Sequence, residues 1–411
     1  MYLLLLKNKN IRYYLLGGCI SRLGDVLAGM AFLFLAYDMT SSTIHTTSMA
    51  IASTAPYLLF GLIGGVIADW LPRKKLLIML DLARIPLVLS VFLLDQFGIL
   101  TFAYLLIVSF VIQTMGCFFN PAHRAILPII TKPEQRSVAN GLNDTLSRGV
   151  TVLSPILSIW LLSYGAIYFF IIDALTYTIS VICLIQVHFT EQKQIITKSI
   201  KGILLAIADF CVWVKEKTTI KDLFLITFII VFFNTWVWQV GLLLALNELT
   251  ANSEEIYSIL QGVFGGTVIL TNLMLPYFFK KMNLKIYLIG AAIWGVGITY
   301  YGLLYQVEHF FIGAVLVGIG LPISSLARVY LIQALVPSEM LGRAFSSNAF
   351  LLYLANTISL VVYGALVYLL PIRHLMIGSG FLIMAVSLIG LAVFTIKQAK
   401  LSRRSPVNFF K

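Results

Sequence analysis

The sequence predicts an all-α membrane protein of twelve transmembrane helices in two six-helix halves, and three observations carry the prediction. Twelve apolar runs are each long enough to cross a bilayer, basic residues gather in alternate loops, and one long polar stretch divides the runs six and six. The solvent argument agrees. Of 411 residues, 60% are hydrophobic and 11% charged, whereas soluble domains carry about 45–50% and roughly 25%. A water-soluble fold cannot hide this much apolar surface, so lipid must surround most of the chain.

A helix needs about 20 mainly apolar residues to cross the hydrocarbon core. Runs of that length lie near 13–37, 46–69, 76–94, 99–120, 141–163, 166–187, 223–246, 256–279, 284–305, 309–333, 345–369 and 374–396. The first long run is itself a full span and Met1 to Arg12 holds no small-residue cleavage site, so no cleaved signal peptide is expected.

Loop charge sets the expected orientation. One set of alternate loops holds Lys7, Lys9, Arg12, Arg73, Lys74, Lys75, Arg124, Lys132 and Arg136. The same set continues with Lys193, Lys198, Lys201, Lys215, Lys217, Lys221, Lys280, Lys281, Lys285 and Arg343, and the tail adds Lys397, Lys400, Arg403, Arg404 and Lys411. The opposite set has the single basic residue Arg373 beside Glu248, Glu254, Glu255 and Glu308. The positive-inside rule then places both termini on the cytoplasmic side of an inner, or cytoplasmic, membrane. The net charge of +12 is thereby a topology signal, not a nucleic-acid footprint. Cys19, Cys117 and Cys183 lie in apolar runs and Cys211 in a basic segment, with no CxxC pair and hence no disulfide or metal framework.

The long polar stretch is 188–222, between an amino-terminal half, 1–187, and a carboxy-terminal half with a short tail, 223–411. Its segment Ile200 to Phe210 reads as a helix lying on the membrane surface. The halves also repeat. Gly65 to Lys74 after the second run matches Asn272 to Lys281 after the eighth at a constant offset. Pro133-Glu134 with Arg136 matches Pro337-Ser338-Glu339 with Arg343. Six-plus-six repetition is a known transporter architecture, with substrate bound near the midplane between the halves.

Gly65-x-x-x-Asp69-x-x-x-Arg73-Lys74 in the first cytoplasmic loop resembles the signature loop of the major facilitator superfamily, and the likeness covers essentially the whole chain. Other segments resemble its macrolide-efflux and enterobactin-exporter branch. They are Ser21-Arg22-Leu23-Gly24-Asp25, Asp81-Leu82-Ala83-Arg84, Phe119-Asn120-Pro121-Ala122 with Pro128, Ala139-Asn140-Gly141, and Asp173-Ala174-Leu175-Thr176-Tyr177. The resemblance implies that Gly65, Asp69, Arg73 and Lys74 latch a cytoplasmic gate. Two departures stand out. Pro72 occupies the place of the usual glycine before the first basic residue, and Ser154-Pro155-Ile156-Leu157-Ser158 replaces the Gly-Pro-x-x-Gly of drug/proton antiporters.

Ionisable residues inside spans are costly and so read as functional by default. Asp25 and Arg22 share a face of the first span. Asp25 reads either as a protonation switch or as a fixed partner of Arg22. Asp173 reads as a second proton site or a packing residue, and Asp144 with Arg148 as a structural pair. Arg328 lacks an acid in its own span, so an anionic substrate, an acid elsewhere or the inner surface must take its charge. Asn234, Trp236, Trp238 and Gln239 sit near the middle of the seventh span, where they either line a substrate cavity or anchor the helix. Asn348 and Asn356 read as interhelical glue.

No Walker loop, metal-spaced His/Cys cluster or nucleophile elbow is present, and no extramembrane domain is large enough for an enzyme. The expectation is therefore a monomeric secondary transporter, needing no cofactor or metal and driven by the proton gradient. By branch resemblance it exports an amphipathic small molecule such as a macrolide-like drug or a siderophore. An importer or lipid flippase of the same fold, and a transport-inactive sensor or scaffold, remain open.

Overall fold

In a computed structural model of the chain, residues 2–191 and 199–404 are described. Lys193, Lys198 and Lys411, counted above toward orientation, lie outside the described residues. The described chain is helical throughout, as apolar segments must be where no water can satisfy the backbone. The helices are α1 (Tyr2–Leu6), α2 (Lys9–Thr40), α3 (Thr43–Trp70), α4 (Arg73–Gln96), α5 (Phe102–Ile130), α6 (Arg136–Leu162), α7 (Phe169–Gln186) and α8 (Ile200–Glu216). They continue as α9 (Thr218–Trp236), α10 (Leu242–Leu249), α11 (Ser253–Phe278), α12 (Leu284–Leu303), α13 (Val307–Leu335), α14 (Leu341–Leu366) and α15 (Ile372–Arg404).

Eleven segments among the described residues are long and apolar enough to cross a membrane, with α9 and α10 joined as one of them. Twelve are expected from the sequence. The expected run 141–163 is covered by α6, a helix of 27 residues, which is not among these eleven.

Side chains close the helix starts. Asn8 accepts from the backbone N–H of Asn10, Thr101 from Tyr104 and Asn283 from Ile286, each satisfying a donor that the first turn leaves open. Pro72 precedes α4 with φ −58°, the angle its ring enforces. It thus opens the helix where a glycine would leave the turn loose. Ser154 in α6 is fully buried and returns its hydroxyl to the Val150 carbonyl at 2.7 Å. That bond lets a serine pack as a small residue in a glycine's place.

The chain forms two compact units, one of Met1–Lys217 with Ile332–Tyr353 and the other of Thr218–Leu331 with Leu354–Lys411. In the first unit α2 and α4 pack on α7, α3 on α5, and α2 on α6. Leu27, Phe32, Val88, Leu105, Phe170 and Tyr177 belong to its core. In the second unit α12 packs along α15, and α9 joins α15 and α12.

Candidate functional site

The interior of the first unit is built round charge. Asp173, Thr176, Tyr177 and Ser180 stand at helical spacing on one face of α7. Gly24 of α2 lies directly against Asp173 and Thr176, where any side chain would collide. That close approach brings the next residue, Asp25, within reach of α7, and the Tyr177 hydroxyl donates to its Oδ1 at 2.7 Å. From α4, Asp81 accepts a hydrogen bond from Ser180 at 2.7 Å and pairs with Arg84 at 3.3 Å. The Arg84 guanidinium lies 5.0 Å from the Phe119 ring centroid and 5.4 Å from that of Tyr177.

Asp81 and Asp173 are 0% exposed and Arg84 2%. Asp173 Oδ1 is 3.4 Å from the Thr176 hydroxyl, whereas its Oδ2 has no hydrogen-bond partner among the described residues. Breaking one side of a buried pair of this kind costs about 3–5 kcal/mol, because the charge left behind is uncompensated.

Beside the cluster a cavity of about 240 Å³ opens, lined in part by Arg22, Asp25, Gly29, Met49, Ser53 and Gln113. Arg22 is exposed there and makes no ion pair with Asp25 among the described residues. Asp25 is committed to Tyr177 instead.

A second constellation sits at the end of α3. Gly65 packs against Ser346 and Gly342 with no room for a side chain, which lets Asp69, one turn on, reach the first turn of α14. Asp69 Oδ1 accepts from the Gly342 backbone N–H at 2.6 Å. Its Oδ2 accepts from the Arg343 backbone at 3.1 Å and the Arg343 Nε at 3.0 Å. A buried carboxylate thus meets the positive end of a helix and a guanidinium together.

Arg343 also donates to the Ala206 and Glu339 carbonyls. Arg73 donates to the Ser338 carbonyl at 2.5 Å and lies 3.5 Å from Asp69. The acid that meets the Arg73 backbone is Glu191, at 2.9 Å, and burial raises the Glu191 carboxyl above its usual range despite Arg73. Lys74 donates to the Ile185 and Val187 carbonyls, both at 2.8 Å, closing the end of α7. A neighbouring clasp joins the Asn140 and Gln333 amides at 2.7 and 3.2 Å, with Arg136 on the Gln333 carbonyl.

In the second unit the expected aromatic residues divide. Trp236 is buried and stacks on Tyr363 at 5.4 Å. Trp238 meets Phe264 at 4.1 Å, Asn234 accepts from the Trp294 indole at 2.9 Å, and Gln239 is exposed. The π-turn Val237–Gly241 lies here, its Gly241 pressed on the Trp236 ring. Asn356 accepts from Thr235 at 2.6 Å, Asn348 is buried, and Arg328 is half-buried in α13. In α6, Arg148 pairs with Asp144 at 2.7 Å.

Asp81, Arg84, Tyr177 and Ser180 are absent from the site residues expected on sequence, although Asp81 and Arg84 at i,i+3 inside an apolar run carried the signal. Three His, Cys, Asp or Glu residues placed to hold a metal do not occur among the described residues.

The model of the family described as transmembrane secretion effector matches residues 5–410. The chain belongs to this family of the major facilitator superfamily. This transporter is similar to macrolide efflux protein A of Streptococcus pyogenes, at 24% identity over 93% of this chain and 96% of that protein. Macrolide efflux protein A of Enterococcus faecalis is 26% identical over 76% of this chain and 98% of that one. In fold, the transporter is similar to a bacterial homologue of the iron transporter ferroportin in an outward-facing state. The TM-score is 0.71 at 16% identity, over 95% of this chain and 99% of that one. The human organic anion transporter MFSD10 gives a TM-score of 0.74 at 11% identity, over 93% and 99%. Family and fold are those of membrane transporters that carry small molecules, not of enzymes.

Proposed function

We propose that this transporter exports an amphipathic small molecule in exchange for protons by alternating access, with the carboxylates of the first unit as the proton sites. The observation that carries the reading is the half-buried Asp25 joined through Tyr177 to the buried Asp81, Asp173 and Arg84. Taking a proton onto a buried carboxyl removes the cost of an uncompensated charge, and releasing it restores that cost. Asp25 stands at the cavity, so its Tyr177 bond links ligand space to the buried acids. The Asp69 contacts with the start of α14 then act as the latch that favours one conformation over the other. The bound molecule is a macrolide-like drug or a siderophore, the former supported by the named relatives. Two six-helix halves, 1–187 and 223–411, joined by 188–222, work in the cytoplasmic (inner) membrane. The alternating basic loops support both termini facing the cytoplasm.

The test uses everted membrane vesicles with and without the protein, an inward-acidic gradient, and radiolabelled erythromycin or iron-free siderophore. Gradient-dependent uptake is expected, lost in Asp25→Asn and uncoupled from the gradient in Asp173→Asn. Uptake indifferent to both substitutions sinks the assignment of the proton sites. Absence of uptake in folded protein removes these substrates.

A further inference from the structure

One face of α2 lines the cavity of the first unit with Arg22, Asp25, Val26, Gly29, Phe32 and Leu33, the spacing of neighbours on a helix surface. The face changes character along its length. It begins with two opposite charges at Arg22 and Asp25. It then opens at Gly29, where a Cβ would touch nothing within 4 Å, and ends in the apolar side chains of Phe32 and Leu33.

Neither charge is spent on the other. Arg22 is exposed and makes no hydrogen bond or ion pair among the described residues. The Tyr177 hydroxyl holds Asp25 by its Oδ1 at 2.7 Å, which fixes the carboxylate and leaves Oδ2 without a hydrogen bond among the described residues. Across the cavity stands Gln113 of α5, whose side-chain amide is also unbonded among them. The acids behind this wall, Asp81 and Asp173, are 0% exposed and out of a ligand's reach. Ionisable side chains at membrane depth are costly and usually face a cavity or a partner.

The sign of the charges decides what fits. A lone cation drawn to Asp25 meets Arg22, and a lone anion drawn to Arg22 meets Asp25, so repulsion offsets attraction for either. A ligand with both charges a few bonds apart satisfies both groups and brings no net charge into the cavity. We infer that this cavity carries a zwitterion subsite, which takes the ammonium and carboxylate of an amino-acid-like head with an apolar side chain. The ammonium lies on Asp25 Oδ2 and the carboxylate on the forked Arg22 guanidinium. The apolar part lies along Phe32 and Leu33. The volume is about 240 Å³, below the roughly 300–1,000 Å³ of sites for drug-sized ligands. The subsite therefore holds an amino acid, or one such head of a larger molecule. The inference deepens the transport reading, on which it rests, by naming the head group of the amphipathic substrate.

Binding is measured apart from transport, by titration calorimetry on the full-length protein in lipid nanodiscs, with empty nanodiscs as the blank. The probes are leucine, its methyl ester, which keeps only the ammonium, and N-acetyl-leucine, which keeps only the carboxylate. Leucine is expected to bind at least about tenfold more tightly than either, the size of one charge-assisted hydrogen bond. Glycine should bind more weakly than leucine. Arg22→Gln should lower leucine to the level of the methyl ester, and Asp25→Asn to that of N-acetyl-leucine, with melting scans confirming that each variant folds. A single-charge analogue that binds as tightly as leucine overturns the subsite, as does the absence of leucine binding to the folded protein. The three-probe comparison on the unaltered protein decides this even where a variant fails to fold. Absent vesicle uptake with this binding pattern intact removes the transport reading and keeps the subsite.

Discussion

The two units bury their polar groups by different means. In the first, Asp81, Asp173 and Arg84 are buried among α2, α4 and α7, Asp25 is half-buried beside them, and Asp69 is closed against the start of α14. In the second, hydroxyls and amides pair with one another. Thr227 meets Tyr287 at 2.8 Å, Tyr363 meets Ser379 at 2.6 Å, and the Trp294 indole donates to Asn234. The second unit also brings helices together through glycines, as at Gly295, where a Cβ would sit 2.7 Å from the Met384 backbone nitrogen. Neutral pairs and close helix contacts hold at any pH, whereas buried carboxylates respond to protons. Under the proposed proton-coupled mechanism, switching belongs to the first unit and rigidity to the second.

The largest expected effect is at Asp69. Asp69→Ala leaves Arg343, Arg73 and the first turn of α14 without their acceptor, a loss of about 3–5 kcal/mol. Vesicle uptake should fall more than tenfold, by the same arithmetic, and a cysteine probe at the loop end of α3 should gain reactivity. Tyr363→Phe, the counterpart in the second unit, should cost only about 1 kcal/mol in a melting experiment and leave transport in place. Near-normal uptake in the Asp69 variant would remove the latch.

A sharper comparison sets Gly24→Leu against Gly295→Leu. Each overpacks a helix contact by about 1–3 kcal/mol, so both should melt earlier. Only Gly24→Leu pushes α2 from Asp173, and only it should change the pH profile of uptake. Matching pH profiles would dissolve the contrast between the units. Lys74→Met comes next, with about 0.3–1 kcal/mol lost as the final carbonyls of α7 lose their cation, read as a modest melting shift with transport retained.

Glu191 is the smallest. Burial lifts its carboxyl in the folded protein above the ordinary glutamate value, so the folded state holds that proton more tightly than the unfolded chain. Stability from this group is greatest below the unfolded value and declines as pH rises through the raised folded value. Glu191→Gln should flatten that part of a melting-temperature profile. An unchanged slope would show that Glu191 does not contribute.

Much of the fold was legible because lipid imposes a simple rule. Apolar runs must become helices, and their ends fall where polar and turn residues begin, as at Asn8, Thr101 and Asn283. The site was partly legible. Asp25, Asp69 and Asp173 announce themselves by charge in apolar surroundings, whereas Tyr177 and Ser180 are unremarkable in any helix. Asp81 and Arg84 were visible as a likeness, yet their role depends on Ser180, which is far away in sequence.

The sequence alone determined the solvent, the helical class, the run of spans and the family, because hydropathy, length and the spacing of a loop motif are properties of consecutive residues. Only the tertiary structure decided what each charge meets. Arg22 and Asp25 share a helix face, yet Asp25 turns to Tyr177 and Arg22 to the cavity. Asp69 finds a helix start 273 residues away. Partner choice depends on which helices approach closely enough, and that is set by packing at places such as Gly24 and Gly65, where the absence of a side chain lets two backbones meet.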